Sequence, residues 1–232
     1  MALQLMKKIF HSYFVACCLL YPAIFTVKYC NIERAEKIFV PVFVLLVFAF
    51  NVYLNPLAKG KNIFLFFAFF FVCLGDILIN LFGFYTVAVV SFLLTHTNLI
   101  LYYSAQHHWA KPDVKYLIPV VLLSAVIFLL VRPRIFAAWQ LAAFGFYLSV
   151  LGTMLWRAVC FWGTDEPAGQ KGLVIGGSLL FYCTDVAVSA NVVFNTKILV
   201  ALTWICYSPA LFMLSVMNYP FKRRVENEKQ RI

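Results

Sequence analysis

Charge is what this sequence has least of: Asp, Glu, Lys and Arg together supply 12% of the 232 residues, whereas hydrophobic residues supply 64%. An ordinary soluble domain carries about 25% charged residues, so a water-soluble enzyme or binding module is excluded. Long polar segments are missing as well. The connections between apolar runs, such as "NPLAKGKN", "HHWAKPDVK" and "FWGTDEPAGQK", are short and leave no room for a separate soluble domain. Histidine is scarce, with 4 in the chain, and His96 alone lies deep in an apolar run. An intramembrane zinc hydrolase needs about three protein ligands, usually several of them histidines, which argues against a metal site. The 7 cysteines form no CxxC pair, and all but Cys30 fall in apolar runs. They read as small buried thiols rather than disulfides or metal ligands. Ser178 lacks the GxSxG setting of a nucleophile elbow.

What is present is apolar sequence in runs near 20 residues long, the length that spans about 30 Å of hydrocarbon as a helix. Lipid gives backbone groups no outside partner, so the runs are helices. Breaks at Lys, Arg, Pro, Gly and Asn delimit eight spans at 9–27, 38–54, 63–82, 85–106, 115–131, 135–157, 172–191 and 196–218. The N-terminus has a signal-like basic start, but its long apolar run lacks a small-x-small cleavage site and reads as a retained first helix. The expected fold is an all-α polytopic membrane protein of eight transmembrane helices in one bundle over residues 1–221, with a basic tail at 222–232.

The net charge of +10 would point to nucleic acid in a soluble protein, but here the basic residues sit between apolar runs and in the tail. Topology and anionic lipid headgroups account for them, and no nucleic-acid partner is expected. With the N-terminus inside, 13 of the 19 Lys and Arg residues fall on the cytoplasmic side. Both termini are therefore expected in the cytoplasm, in a membrane of the bacterial inner or endoplasmic reticulum type.

The acidic residues are more informative. Of 9 in the chain, only Asp76 and Asp185 lie within spans. Each sits well along its helix, and the third and seventh helices run the same way, so the two carboxyls are expected at one depth. An ionised carboxylate in hydrocarbon costs several kcal/mol unless it is paired, protonated or wet. Two that share a low-dielectric pocket cannot both ionise, which leaves one acid and one carboxylate, the equipment for general acid and base chemistry. The alternative is that each Asp only ties helices together, accepting hydrogen bonds from Thr184, Asn80 or Tyr182. His96 lies one tight turn from the helix of Asp76 and is expected beside that carboxyl, as a proton relay, a substrate contact or a lock on its protonation state. Asn51, Asn55, Asn80, Ser189 and Tyr207 fit the same lining, or act as packing glue. Lys37, at the start of the second helix, is placed to hold a lipid phosphate while the tail enters the bundle. Gly172 and Gly176, at GxxxG spacing, and Gly145, Ser149 and Gly152 read as packing faces.

The stretches "CLGDILINLF", "SFLLTH", "GGSLLFYCTDVAVSANVVF" and "LVALTWICYSPALFML" resemble the YhhN-type membrane lysoplasmalogenases. The resemblance rests on Gly75 and Asp76, on Phe92, Leu93, Leu94 and His96, and on Asp185 and Asn191. Thr95 stands where the family usually has Gly, Leu99 where Tyr is frequent, Thr184 where Ser precedes the second Asp, and Ser208 where Gln would fall. The resemblance implies hydrolysis of the vinyl ether bond of a lysophospholipid substrate to a fatty aldehyde and a glycerophospho-headgroup. Asp76 and Asp185 would be catalytic with His96, and Lys37, Asn51, Asn80, Asn191 and Tyr207 would contact substrate, without metal or cofactor. Two further readings stay open. An intramembrane aspartyl protease would also use an Asp pair, although the Gly-Asp helix precedes the Tyr-Asp helix here and Cys73 replaces a motif glycine. A proton-coupled transporter or lipid-binding protein would carry protons on the same two residues.

Overall fold

Backbone amides in hydrocarbon must bond within their own segment, and the chain meets that demand with helices throughout. The computed structural model describes residues 2–30, 32–56, 60–107, 113–135 and 137–219. Among them are eight helices long and apolar enough to cross a membrane. They are α1 (Ala2–Tyr29), α2 (Glu33–Leu54), α3 (Asn62–Ile77), α4 (Tyr85–Gln106), α5 (Val114–Val131), α6 (Ala138–Val159), α7 (Ala168–Phe194) and α8 (Lys197–Ser215). The expected tail at 222–232 and His108 lie outside the described residues.

The eight expected spans are all present, and their ends shift for local reasons. Helical hydrogen bonding outlasts apolar sequence, so α1 begins at Ala2 and α7 at Ala168, directly after Pro167. A larger difference interrupts the third span. After Ile77 the helix widens into a π-helical segment, Leu78–Phe82, which ends at Gly83 with φ 70°. That left-handed conformation suits a residue without Cβ and turns the chain sharply into α4.

Helices α7 and α8 form the tightest pair, and α3 packs on α4. Helix α5 lies at the periphery, where only Val120 and Val131 are buried. The Oη of Tyr13 in α1 bonds the Oγ of Ser215 in α8 at 2.6 Å, and Phe10 stacks on Tyr219. These contacts put the start of α1 and the end of α8 at one end of the bundle, called here the termini end. The opposite end, carrying the α1–α2, α3–α4, α5–α6 and α7–α8 connections, is the far end.

Between apolar helices in lipid, association rests on close packing and interhelical hydrogen bonds. Both are present. Tyr103 bonds Ser178 at 2.8 Å, and Tyr182 bonds Ser124 at 2.9 Å. Of the expected glycine pair, Gly172 is open, since an added Cβ there would meet nothing within 4 Å, whereas a Cβ at Gly176 would lie 2.6 Å from Cε of Met213 in α8. The next residue, Gly177, meets the same helix, where a Cβ would lie 2.9 Å from Cγ and Cδ2 of Leu214 and 3.2 Å from Cβ of Met213. Helix rotation thus brings Gly176 and Gly177, and not Gly172, onto α8. Gly177→Ala should therefore destabilise the α7–α8 seam by about 1–3 kcal/mol through overpacking. Gly172→Ala, in open space, should cost nothing. Thermal unfolding midpoints of the two variants in detergent check this.

Candidate active site

Four side chains from four helices meet at one depth. His96, Tyr147, Asp185 and Tyr207 lie eleven, nine, nine and ten residues from the far-end termini of α4, α6, α7 and α8, or about 15 Å at helical rise. Asp76 lies six residues before Phe82, the last residue of the widened turn. Both carboxyls are buried, Asp76 at 5% exposure and Asp185 at 7%, and His96 is fully buried.

The two aspartates have different partners. Oδ2 of Asp185 accepts from Nε2 of His96 at 2.5 Å and from Oη of Tyr147 at 2.7 Å. The carboxyl of Asp76 accepts from Oη of Tyr207. His96 therefore stands beside Asp185, not beside Asp76 as expected from the short α3–α4 turn. Helix α4 packs against α6 as well as α3, and rotation about its axis aims His96 across the bundle. The ring of Phe181 fills the space between the two groups, with its centroid 4.9 Å from that of His96 and 6.0 Å from that of Tyr207. Asp185 is within electrostatic reach of Asp76, and Tyr207 is within reach of both carboxyls.

The backbone around Asp76 is shaped by its neighbours. Gly75 lets the ring of Phe92 press on α3, since a Cβ there would lie 3.1 Å from that ring. In the widened turn, Nδ2 of Asn80 donates to the carbonyl of Asp76 at 2.7 Å, while Oδ1 of Asn80 accepts from Nζ of Lys28 at 2.8 Å. Lys28 also pairs with Glu36 and lies 4.7 Å from the centroid of the Trp204 ring. Insertions of this π type recur at functional sites, and here the insertion carries Asn80 to the cation.

Of the residues expected at the site, Asp76, Asp185, His96, Asn80 and Tyr207 come together. Three do not. Asn51 is 18 residues from the start of α2, about 27 Å from the far end. It is buried there, and its side-chain amide atoms have no partner among the described residues. Helix α2 runs towards the termini end, so the residue is carried past the depth of the carboxyls. Asn191 accepts from the backbone N–H of Thr196 at 3.0 Å and so closes the α7–α8 turn. Lys37 is exposed, because its position on α2 faces away from the bundle while Glu36 faces Lys28.

Tyr147, Lys28, Glu36 and Trp204 were missed. The depth argument, applied to tyrosines as well as carboxylates, points to Tyr147. Lys28 sits in the last turn of α1 and carries no mark in the sequence that separates it from Lys37.

Comparison with known proteins decides the family. A profile of the YhhN family matches residues 9–217. The chain belongs to the YhhN family, the family of lysoplasmalogenases. Comparison with curated proteins and with solved structures gives no significant match. The match to this YhhN chain runs from α1 to the end of α8 and so includes every residue of the cluster.

Proposed function

We propose that this YhhN protein is a multi-pass membrane hydrolase that cleaves the vinyl ether bond of lysoplasmalogens, releasing a fatty aldehyde and a glycerophospho-headgroup. The reaction runs in one bundle, residues 1–221, with both termini in the cytoplasm and the tail 222–232 against anionic lipid. The membrane is of the bacterial inner or endoplasmic reticulum type. The observation that carries this reading is the pair of buried carboxyls with unequal partners, Asp76 and Asp185, inside a chain of this family.

Asp185 serves as the carboxylate, because two donors on one oxygen stabilise its negative charge. Asp76, with one donor and with the nearby Lys28 already paired to Glu36, serves as the acid. Its proton goes to the β-carbon of the vinyl ether, the double-bond electrons form the new C–H bond, and the ether oxygen shares the positive charge. The carboxylate of Asp185 stabilises this oxocarbenium ion and takes a proton from the attacking water. The hemiacetal then collapses. Asp185 gives its proton to the glycerol oxygen as the C–O bond breaks, and the hemiacetal hydroxyl gives its proton to Asp76. Both aspartates end as they began, so the cycle draws no proton from outside the site. Neither metal nor cofactor is required.

The test is product chemistry in D₂O. Purified protein in detergent should release aldehyde from a 1-alkenyl-glycerophospholipid, and the alcohol made by reducing it in situ should carry one solvent deuterium at C2. An ester lysolipid hydrolysed at equal rate, or a cut transmembrane peptide with no aldehyde, would replace this reading with a lysophospholipase or a protease.

A further inference from the structure

Lys28 is an unusual lysine for the end of a transmembrane helix. A cation in the last turn ordinarily stretches towards water, and α1 ends at Tyr29. Yet the side chain of Lys28 is only 13% exposed and turns into the bundle. Its Nζ is held by Oδ1 of Asn80, by the carboxylate of Glu36 and over the face of Trp204. Asn80 in turn grips the carbonyl of Asp76. One amide side chain thus fixes the distance between a cation and the proposed acid.

Glu36, whose side chain is 21% exposed, is the more open member of the pair. The result is a positive and a negative group side by side, one residue removed from Asp76. This matches a zwitterionic headgroup, in which phosphate and ammonium are neighbours and the glycerol backbone separates phosphate from the reacting bond.

We propose that Lys28 and Glu36 form the headgroup subsite, Lys28 holding the phosphodiester and Glu36 the ammonium of an ethanolamine- or choline-type lysolipid. The assignment rests on the lysoplasmalogen reading above. On binding, the pair trades its mutual contact for two contacts to ligand, so its charge stays balanced in a poorly solvated place. A ligand with phosphate but no ammonium strands Glu36 beside a second anion. The site therefore selects zwitterionic over anionic headgroups. Trp204 supplies a ring face on the same side.

Binding of saturated ether lipids, which carry no vinyl ether to cleave, tests this apart from the chemistry. The probes are 1-O-alkyl-glycerophosphoethanolamine, 1-O-alkyl-glycerophosphate and 1-O-alkylglycerol, measured on the purified full chain in detergent. Lys28→Met should weaken the two phosphate-bearing probes by about tenfold, the worth of one charge-assisted contact, and leave the alkylglycerol where it was. Glu36→Gln should weaken the ethanolamine probe and tighten the glycerophosphate probe. Equal losses on all three probes in Lys28→Met, parallel shifts of both phosphate probes in Glu36→Gln, or a loss in Lys37→Met as large as in Lys28→Met would overturn it. Probes that bind as expected to a protein releasing no aldehyde would keep the subsite and remove the lysoplasmalogenase reading. Aldehyde release with headgroup-blind binding would do the reverse.

Discussion

Asp76→Asn should lower aldehyde release by about 10³-fold or more, the worth of a general acid that delivers the proton in the slow step. The asparagine is nearly the same size and keeps an acceptor for Tyr207 Oη, the hydrogen bond that Asp76 makes with α8. Packing at this 5% exposed position is therefore preserved while the transferable proton is lost. Thermal unfolding within a few degrees of the parent, together with the lost rate, would separate chemistry from misfolding. Near-parental turnover would remove Asp76 from the mechanism.

Asp185→Asn should also be inactive, but for a different reason, and deuterium distinguishes the two. Without Asp185 the acid is still present, so Asp76 can protonate the vinyl ether and take the proton back. Vinyl ether recovered from D₂O should then contain solvent deuterium. With Asp76→Asn no such exchange should occur, because the first carbon–hydrogen bond never forms. Exchange in neither variant, or in both, would show that the roles given to the two carboxyls are wrong even if both are needed.

The spans were legible because hydrocarbon imposes one solution on the backbone, and a run of the right length announces it. The depth of Asp185 was legible for the same reason, since depth follows from residue count at constant rise, whereas Asp76, six residues before Phe82 against nine from Asp185 to Phe194, lies nearer the far-end terminus of its own helix than expected. Rotation about a helix axis was not legible. A step of one residue turns a side chain by about 100°, so being one turn away in sequence could not tell whether His96 would face Asp76 in α3 or Asp185 in α7. Direction of travel misplaced Asn51, whose polar side chain fits a site lining but whose helix had already passed the right depth. The widened turn at Leu78–Phe82 has no hydropathy signature, because its residues are as apolar as those before it. Lys28 and Lys37 flank the same connection and differ only in which way they point, which packing on Asn80 and Trp204 decides.

His96→Ala should lower kcat by about 10- to 100-fold, from the loss of one hydrogen bond to a charged group, about 1.5–3 kcal/mol. The reason lies in its two nitrogens. Nε2 meets Asp185 at 2.5 Å, and Nδ1 is buried with no partner among the described residues. A proton on Nδ1 would be an unmatched buried donor, a costly arrangement. The ring therefore presents its hydrogen at Nε2, as a donor that orients the Asp185 carboxylate. Glutamine can place an amide N–H where Nε2 stands, so His96→Gln should recover most of the lost rate. Were His96 a relay, glutamine would be as inactive as alanine. Tyr147 donates to the same oxygen at 2.7 Å, and donors that share one acceptor are coupled. The double variant with Tyr147→Phe should thus lose a different factor from the product of the two single losses. A strictly multiplicative loss, with KM unchanged throughout, would mean that the two donors act on separate steps and not together on Asp185.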